Sequence, residues 1–159
     1  MIRRILLMAT AIIASAVITA CSDPAAPGHL APASLSSEQS SRSGTLHVEK
    51  ECSQYTGQAG SFCTITSSTL EAIKPGTRVI YASAAVPPVL DSDLLLDPPG
   101  DGNNIAFGHV VLDIPTGQGQ VTISGGTGKF TRFQASVVVS HLVGRTFAWD
   151  GTYSFGDGH

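Results

Sequence analysis

The sequence predicts an all-β domain: a single antiparallel closed β-barrel of about eight strands over residues 45–159, preceded by a signal peptide (residues 1–20) and a tether (residues 21–44). Three observations lead there. Apolar and polar residues alternate with a period of two through most of the C-terminal 115 residues, the pattern of strands with one covered face. Glycine and proline clusters punctuate that alternation at short intervals, as turns between antiparallel strands require. No window carries a helical period long enough to compete, and 115 residues suit one domain. A sandwich would also use about eight short strands; closure is attractive because it removes exposed edges.

At the N-terminus Met1, Ile2, Arg3 and Arg4 precede an apolar run of 14 residues, 5–18, broken only by Thr10 and Ser15. This is the basic region and apolar core of an export signal. It falls short of the ~20 residues a spanning helix needs. It ends in Ile18-Thr19-Ala20-Cys21, which resembles a bacterial lipobox. The resemblance implies lipid on the Cys21 thiol, cleavage before it and acylation of the new amino terminus. At roughly 0.8 kcal/mol per buried methylene, several acyl chains hold firmly to a bilayer. An ordinary secretory signal and a transmembrane helix are the alternatives. The expected address is the bacterial cell envelope, lipid-anchored, facing the periplasm or on the outer membrane, since Ser22 is not the aspartate that signals inner-membrane retention. The tether is mostly Ser, Ala and Pro, with Leu30 and Leu35 its only large apolar residues. It buries too little to offset its ordering entropy, and coil scaling gives it a span on the order of 25 Å.

Strands are expected next at 45–49, 61–66 and 78–84, and a less regular one at 90–96. In 105–114 the residues Ala106, Gly108, Val110, Leu112 and Ile114 make one wholly apolar face, and Phe107, His109 and Val111 lie on the other. Residues 120–124 lead through a turn to 132–140, where Phe133, Ala135, Val137 and Val139 share a face. The last run, 146–155, sets Phe147, Trp149, Gly151, Tyr153 and Phe155 together. Phe147, Trp149, Tyr153 and Phe155 are the expected lining of an apolar cavity, with Gly151 leaving a bulge or a space above the sheet. Turns are marked by Lys74-Pro75-Gly76, Pro87-Pro88, the Pro- and Gly-rich stretch 97–104, Thr116-Gly117 and Gly125-Gly126-Thr127-Gly128.

Of the three cysteines, lipidation of Cys21 leaves Cys52 and Cys63. An even number in an exported chain points to a disulfide. Free thiols and a metal site are the alternatives, the latter disfavoured by ten intervening residues and no CxxC. Removal of the signal leaves 7 Lys and Arg against 12 Asp and Glu, a formal charge of −5, with no basic run. Nucleic-acid binding needs a clustered cationic face, so it is not expected. His47, His109 and His141 lie on three different strands and could converge on zinc or form an acid/base pair; isolated histidines are the plainer expectation. Asp91, Asp93, Asp97, Asp101, Asn103 and Asn104 offer the hard oxygens calcium prefers but lack the spacing of a calcium-binding loop. No catalytic residue, metal site or cofactor is assigned.

The run Ser124-Gly125-Gly126-Thr127-Gly128-Lys129-Phe130 has the look of a phosphate-binding loop. A Walker loop needs a glycine where Ile123 stands and a Ser or Thr where Phe130 stands, and the alternating segment that follows is a strand. The glycines therefore serve a hairpin. That run, extended back to Val121 and closed by Trp149-Asp150-Gly151-Thr152-Tyr153-Ser154-Phe155, resembles the C-terminal half of the allene oxide cyclase barrel-like and dirigent-like proteins. The resemblance covers about 35 residues. It implies an eight-stranded antiparallel barrel with an apolar cavity, often self-associating as a homo-oligomer, and in the plant cyclases isomerisation of an epoxy fatty acid. No motif here matches a catalytic residue of that group. Three functions follow as expectations: a barrel that binds an apolar small molecule in its interior, a structural or interaction module with a filled core, and a lipid-type isomerase or cyclase.

Overall fold

The computed structural model describes residues 43–156; the expected lipidation site Cys21, the expected signal peptide and nearly all of the expected tether lie outside them. Eight antiparallel strands close into a barrel in sequence order: β1 (Ser43–Glu51), β2 (Phe62–Ser68), β3 (Arg78–Tyr81), β4 (Val89–Asp97), β5 (Ala106–Asp113), β6 (Gln118–Gly126), β7 (Phe133–His141) and β8 (Thr146–Phe155). β1 pairs with β8 from Ser43↔Ser154 to Glu51↔Thr146, which seals the sheet and leaves no open edge. β1 starts two residues before the expected Thr45 and continues past Glu49, while β3 stops at Tyr81, short of 84. β4, the least regular run in the sequence, is a full nine-residue strand. Its alternation survives because Leu90, Ser92, Leu94 and Leu96 all turn inward. Ser92 is tolerated there because its hydroxyl donates to the Asp93 carbonyl and accepts from Ser83 N–H.

Loops 52–61, 82–88, 114–117 and 142–145 gather at one end of the barrel. Loops 69–77, 98–105 and 127–132 lie at the other, together with the chain's entry at Ser43. The second end is filled by side chains. Ile73, Phe130 and Phe133 are fully buried there, and Phe133 stacks at 5.4 Å on Phe130, 4.9 Å on Phe155 and 6.3 Å on Tyr153. The glycine-rich run forms the hairpin between β6 and β7, with Gly125 and Gly128 at positive φ and one 3-10 turn over Gly128–Phe130. At the opposite end a disulfide joins Cys52, just after β1, to Cys63 in β2. Closing a loop across 11 residues is worth roughly 3 kcal/mol through the unfolded chain.

Gly151 does not leave space above the sheet. A Cβ there would meet the Ser136 carbonyl oxygen at 2.0 Å and Val137 Cα at 2.8 Å. The backbone of β7 occupies that volume, so the glycine permits close approach of two strands.

Candidate functional site

The chemistry of the barrel collects at its disulfide-bearing end. Leu46, Val48 and Lys50 alternate inward along β1, and the β1–β2 register shifts between Glu49 and Lys50. Thr66 is the unpaired residue of this bulge, and its hydroxyl donates to the Glu49 carbonyl. Bulges re-aim side chains beside functional sites. Lys50 is only 4% exposed. Its Nζ donates to Tyr81 Oη at 2.6 Å and lies over the rings of Trp149 at 4.8 Å, Tyr81 at 5.3 Å and Phe147 at 5.6 Å. Among the described residues no carboxylate pairs with it. Aromatic faces attract the ammonium but do not replace its hydration. Burial accordingly pushes the Lys50 ammonium down to about 7, and the same burial pushes the Tyr81 phenol up.

Two further polar atoms here are buried without a partner, Tyr55 Oη and Trp149 Nε1. The Tyr55 ring packs edge-on against Tyr81 at 4.9 Å. Above this layer opens a pocket of about 270 Å³, lined by Tyr55, Leu90, Leu112, Ile114 and Phe147, with Cys52, Gly144 and Arg145 at its sides. Val86, Ile114, Leu142 and Val143 leave apolar surface exposed on the loops around that end. Arg145 donates to the Ser53 carbonyl. The cluster therefore combines an apolar mouth with a buried ammonium whose hydrogen-bond acceptor is a neutral phenol, itself 3.6 Å from Cys63 Sγ, and with two buried donors that have none.

The four aromatics of β8 divide between the two ends. Phe147 lines the pocket, and Trp149 lies beneath it, 1% exposed. Tyr153 and Phe155 pack with Phe133 at the filled end. Phe155 also borders a crevice of about 380 Å³ with Leu70, Glu71, Ala72 and Lys129. The histidines do not converge. His47 hydrogen-bonds Asp150 at 2.6 Å, which raises its pKa. His109 bridges Asp93 and Asp91 across the β4–β5 ladder, and His141 Nε2 is paired with the Gly144 carbonyl. Of the acidic group, Asp91 and Asp93 thus share His109, while Asp97 pairs with Arg78 and Asn104 accepts from Lys129 N–H. Among the described residues no three His, Cys, Asp or Glu side chains stand together to hold a metal ion.

No family model, curated protein or solved structure matches this chain. The site thus rests on its own geometry. Sequence reasoning passed over Lys50 and Tyr81, although the signal was present. The alternation Leu46-Val48 continues to Lys50, one residue beyond the expected strand 45–49, and Tyr81 shares the inward face of Val79 within the expected strand 78–84.

A larger concavity, about 750 Å³, lies on the outer surface of β6, β7, β8 and β1. Its rows Thr122-Ser136-Thr152-Thr45 and Gln134-Ser154-Ser43 present small uncharged side chains in register. It holds no buried unpaired polar atom among the described residues, so the Lys50 end is the stronger candidate.

Proposed function

We propose that this chain is a lipid-anchored protein of the cell envelope whose barrel binds a small, mostly apolar molecule through its open end. The asymmetry of the interior carries the reading. One end is packed with aromatic side chains beneath a crevice bordered by the charged Glu71 and Lys129, while the other holds an apolar pocket of about 270 Å³ ringed by exposed Val86, Ile114, Leu142 and Val143. Concave, largely apolar pockets with a few polar groups are the usual form of small-molecule sites. The tether joins at Ser43, on the filled end, so the pocket opens away from the point of attachment. Kinship with the allene oxide cyclase barrel-like and dirigent-like proteins belongs to the same proposal, supported by eight antiparallel strands. So does self-association, which the exposed neighbours Leu95 and Phe107 on β4 and β5 favour.

Trp149 is the chain's single tryptophan, and its burial should give blue-shifted emission. Titration with 1-octanol should change that emission saturably, and Leu112→Phe, which narrows the pocket, should weaken the response about tenfold, as loss of room for a methylene or two does. A blue-shifted emission indifferent to every apolar probe would favour the second reading, an interaction module using the hydroxyl-rich outer face of β6, β7, β8 and β1.

The anchor is tested separately. Cys21→Ala should move the protein from the detergent phase to the aqueous phase on phase separation. A variant that stays with the membrane after losing its signal would refute lipidation at Cys21.

A further inference from the structure

A second chemistry sits at the open end of the barrel. We infer that the Cys52–Cys63 bond is a redox site, opened and re-formed by exchange with a low-molecular-weight thiol that enters the pocket and attacks Cys52. The pocket serves here only as a passage, so this activity does not rest on the binding function proposed above. The two sulfurs are unequally placed. Cys52 borders the pocket, whereas Cys63 lies behind it and is 1% exposed. Attack on the reachable sulfur makes the other one the leaving group.

The surroundings of Cys63 suit that part. A disulfide sulfur carries no proton, so the Tyr81 hydroxyl is the donor in its 3.6 Å contact with Cys63 Sγ, and the same oxygen accepts from Lys50 Nζ at 2.6 Å. Ammonium, phenol and sulfur form one buried line. While the bond is closed the line ends poorly, because disulfide sulfur is a weak acceptor and brings no negative charge to Lys50, which meets no carboxylate among the described residues. A thiolate at Cys63 supplies the acceptor and the counter-charge together. Cationic neighbours lower the pKa of a thiol and make it leave faster. Tyr81 touches the reacting sulfur, and Lys50 acts through Tyr81 as a positioning residue. A bond that served only as a staple would need neither.

The exchange takes two steps. The thiolate of the small thiol bonds to Cys52 Sγ as the Cys52–Cys63 bond breaks, and the electron pair leaves on Cys63 Sγ. A second thiolate then attacks the mixed disulfide and releases Cys52. Two small thiols are thereby oxidised to their disulfide, their two electrons reduce the Cys52–Cys63 bond, and of the two protons released one ends on Cys52 and the other on Lys50 or in the solvent. The reverse sequence re-forms the bond. Both cysteines keep their places meanwhile: Cys52 N–H donates to the Arg145 carbonyl, the Cys52 carbonyl accepts from Tyr55 N–H, and Cys63 pairs with Val79 in the β2–β3 ladder.

The experiment equilibrates the full mature chain in detergent micelles at pH 7 with mixtures of 2-mercaptoethanol and its disulfide. Acid quench, alkylation and peptide mapping report Cys52 and Cys63 separately from Cys21, and Trp149 emission reports the fold. The wild type should open its bond with native emission retained. Tyr81→Phe keeps the ring and removes the hydroxyl; it should shift the equilibrium toward the disulfide by at least about tenfold, the equivalent of one unit in a thiol pKa, and Lys50→Met should do likewise. In Cys63→Ser the remaining Cys52 should take up one 2-mercaptoethanol as a mixed disulfide, while folded Cys52→Ser should leave Cys63 unmodified. A loosened staple would behave in the opposite way. A bond that opens only as Trp149 emission is lost, a Tyr81→Phe chain reduced as readily as the wild type or more so, or a mixed disulfide on Cys63 in place of Cys52 would overturn the inference. Should the variants not fold, the ultraviolet absorbance of the reduced wild type decides: a thiolate band at pH 7 supports the redox site, and its absence overturns it.

Discussion

Gly151→Ala should destabilise the barrel by at least about 3 kcal/mol, toward the upper end of overpacking effects. The new Cβ would stand 2.0 Å from the Ser136 carbonyl oxygen and within 3.0 Å of two further β7 backbone atoms. A flexible side chain could step aside; a paired backbone cannot, because Val137↔Gly151 lies in the middle of the β7–β8 ladder. Gly156→Ala is the control, since a Cβ there meets nothing nearer than 3.6 Å, and its stability should stay within about 0.5 kcal/mol of the wild type, as at an ordinary surface position. Urea unfolding of the two variants checks the contrast. Near-equal midpoints would mean that β7 and β8 do not approach as described.

Lys50→Met should stabilise the protein at pH 6 by about 1–3 kcal/mol, an unusual outcome for a buried position. The ammonium titrates near 7 in the folded chain and at 10.5 unfolded. At about 1.4 kcal/mol per pH unit, keeping it charged inside the barrel costs on the order of 4–5 kcal/mol. Loss of the amine leaves the Tyr81 hydroxyl with only its 3.6 Å contact to Cys63 Sγ, which takes back about 1–3 kcal/mol. The sign with pH follows from the lowered value. Between 7 and 10.5 the unfolded chain binds the proton and the folded chain does not, so wild-type stability rises with pH across that window and the penalty is complete below 7. Lys50→Met removes this rise, and its advantage should vanish or reverse by pH 10. Denaturant melts at pH 6, 8 and 10 read the effect directly. A wild type of flat stability from pH 7 to 10, with a destabilised Lys50→Met at pH 6, would mean that the ammonium is better solvated than its burial implies.

The two ends of the barrel differed in how far they could be read in advance. Period-two alternation located β5, β7 and β8 closely because their inward residues are apolar without interruption, and the turn glycines Gly125 and Gly128 marked the β6–β7 hairpin. The pairing of Cys52 with Cys63 followed from their number together with the expected export signal. Gly151 was misleading because a glycine flanked by aromatics has the same pattern whether it leaves a void or admits a neighbouring backbone; only the pairing of β7 with β8 distinguishes them. The division of the β8 aromatics into a packed end and an open one depends equally on partners far away in sequence, Phe130 and Phe133 for one and Lys50, Tyr81 and Tyr55 for the other. Lys50 itself stood where strand assignment is weakest, at the last inward position before a loop, and its polar character disguised its direction.

Native mass spectrometry of the full chain isolated from its own cells tests the central claim most directly. The wild type should carry one small-molecule adduct per chain, displaced by 1-octanol and reduced in the narrowed Leu112→Phe pocket. A chain that bears no adduct and does not take up 1-octanol, or one whose adduct is unaffected by Leu112→Phe, would contradict a binding site at the open end of the barrel.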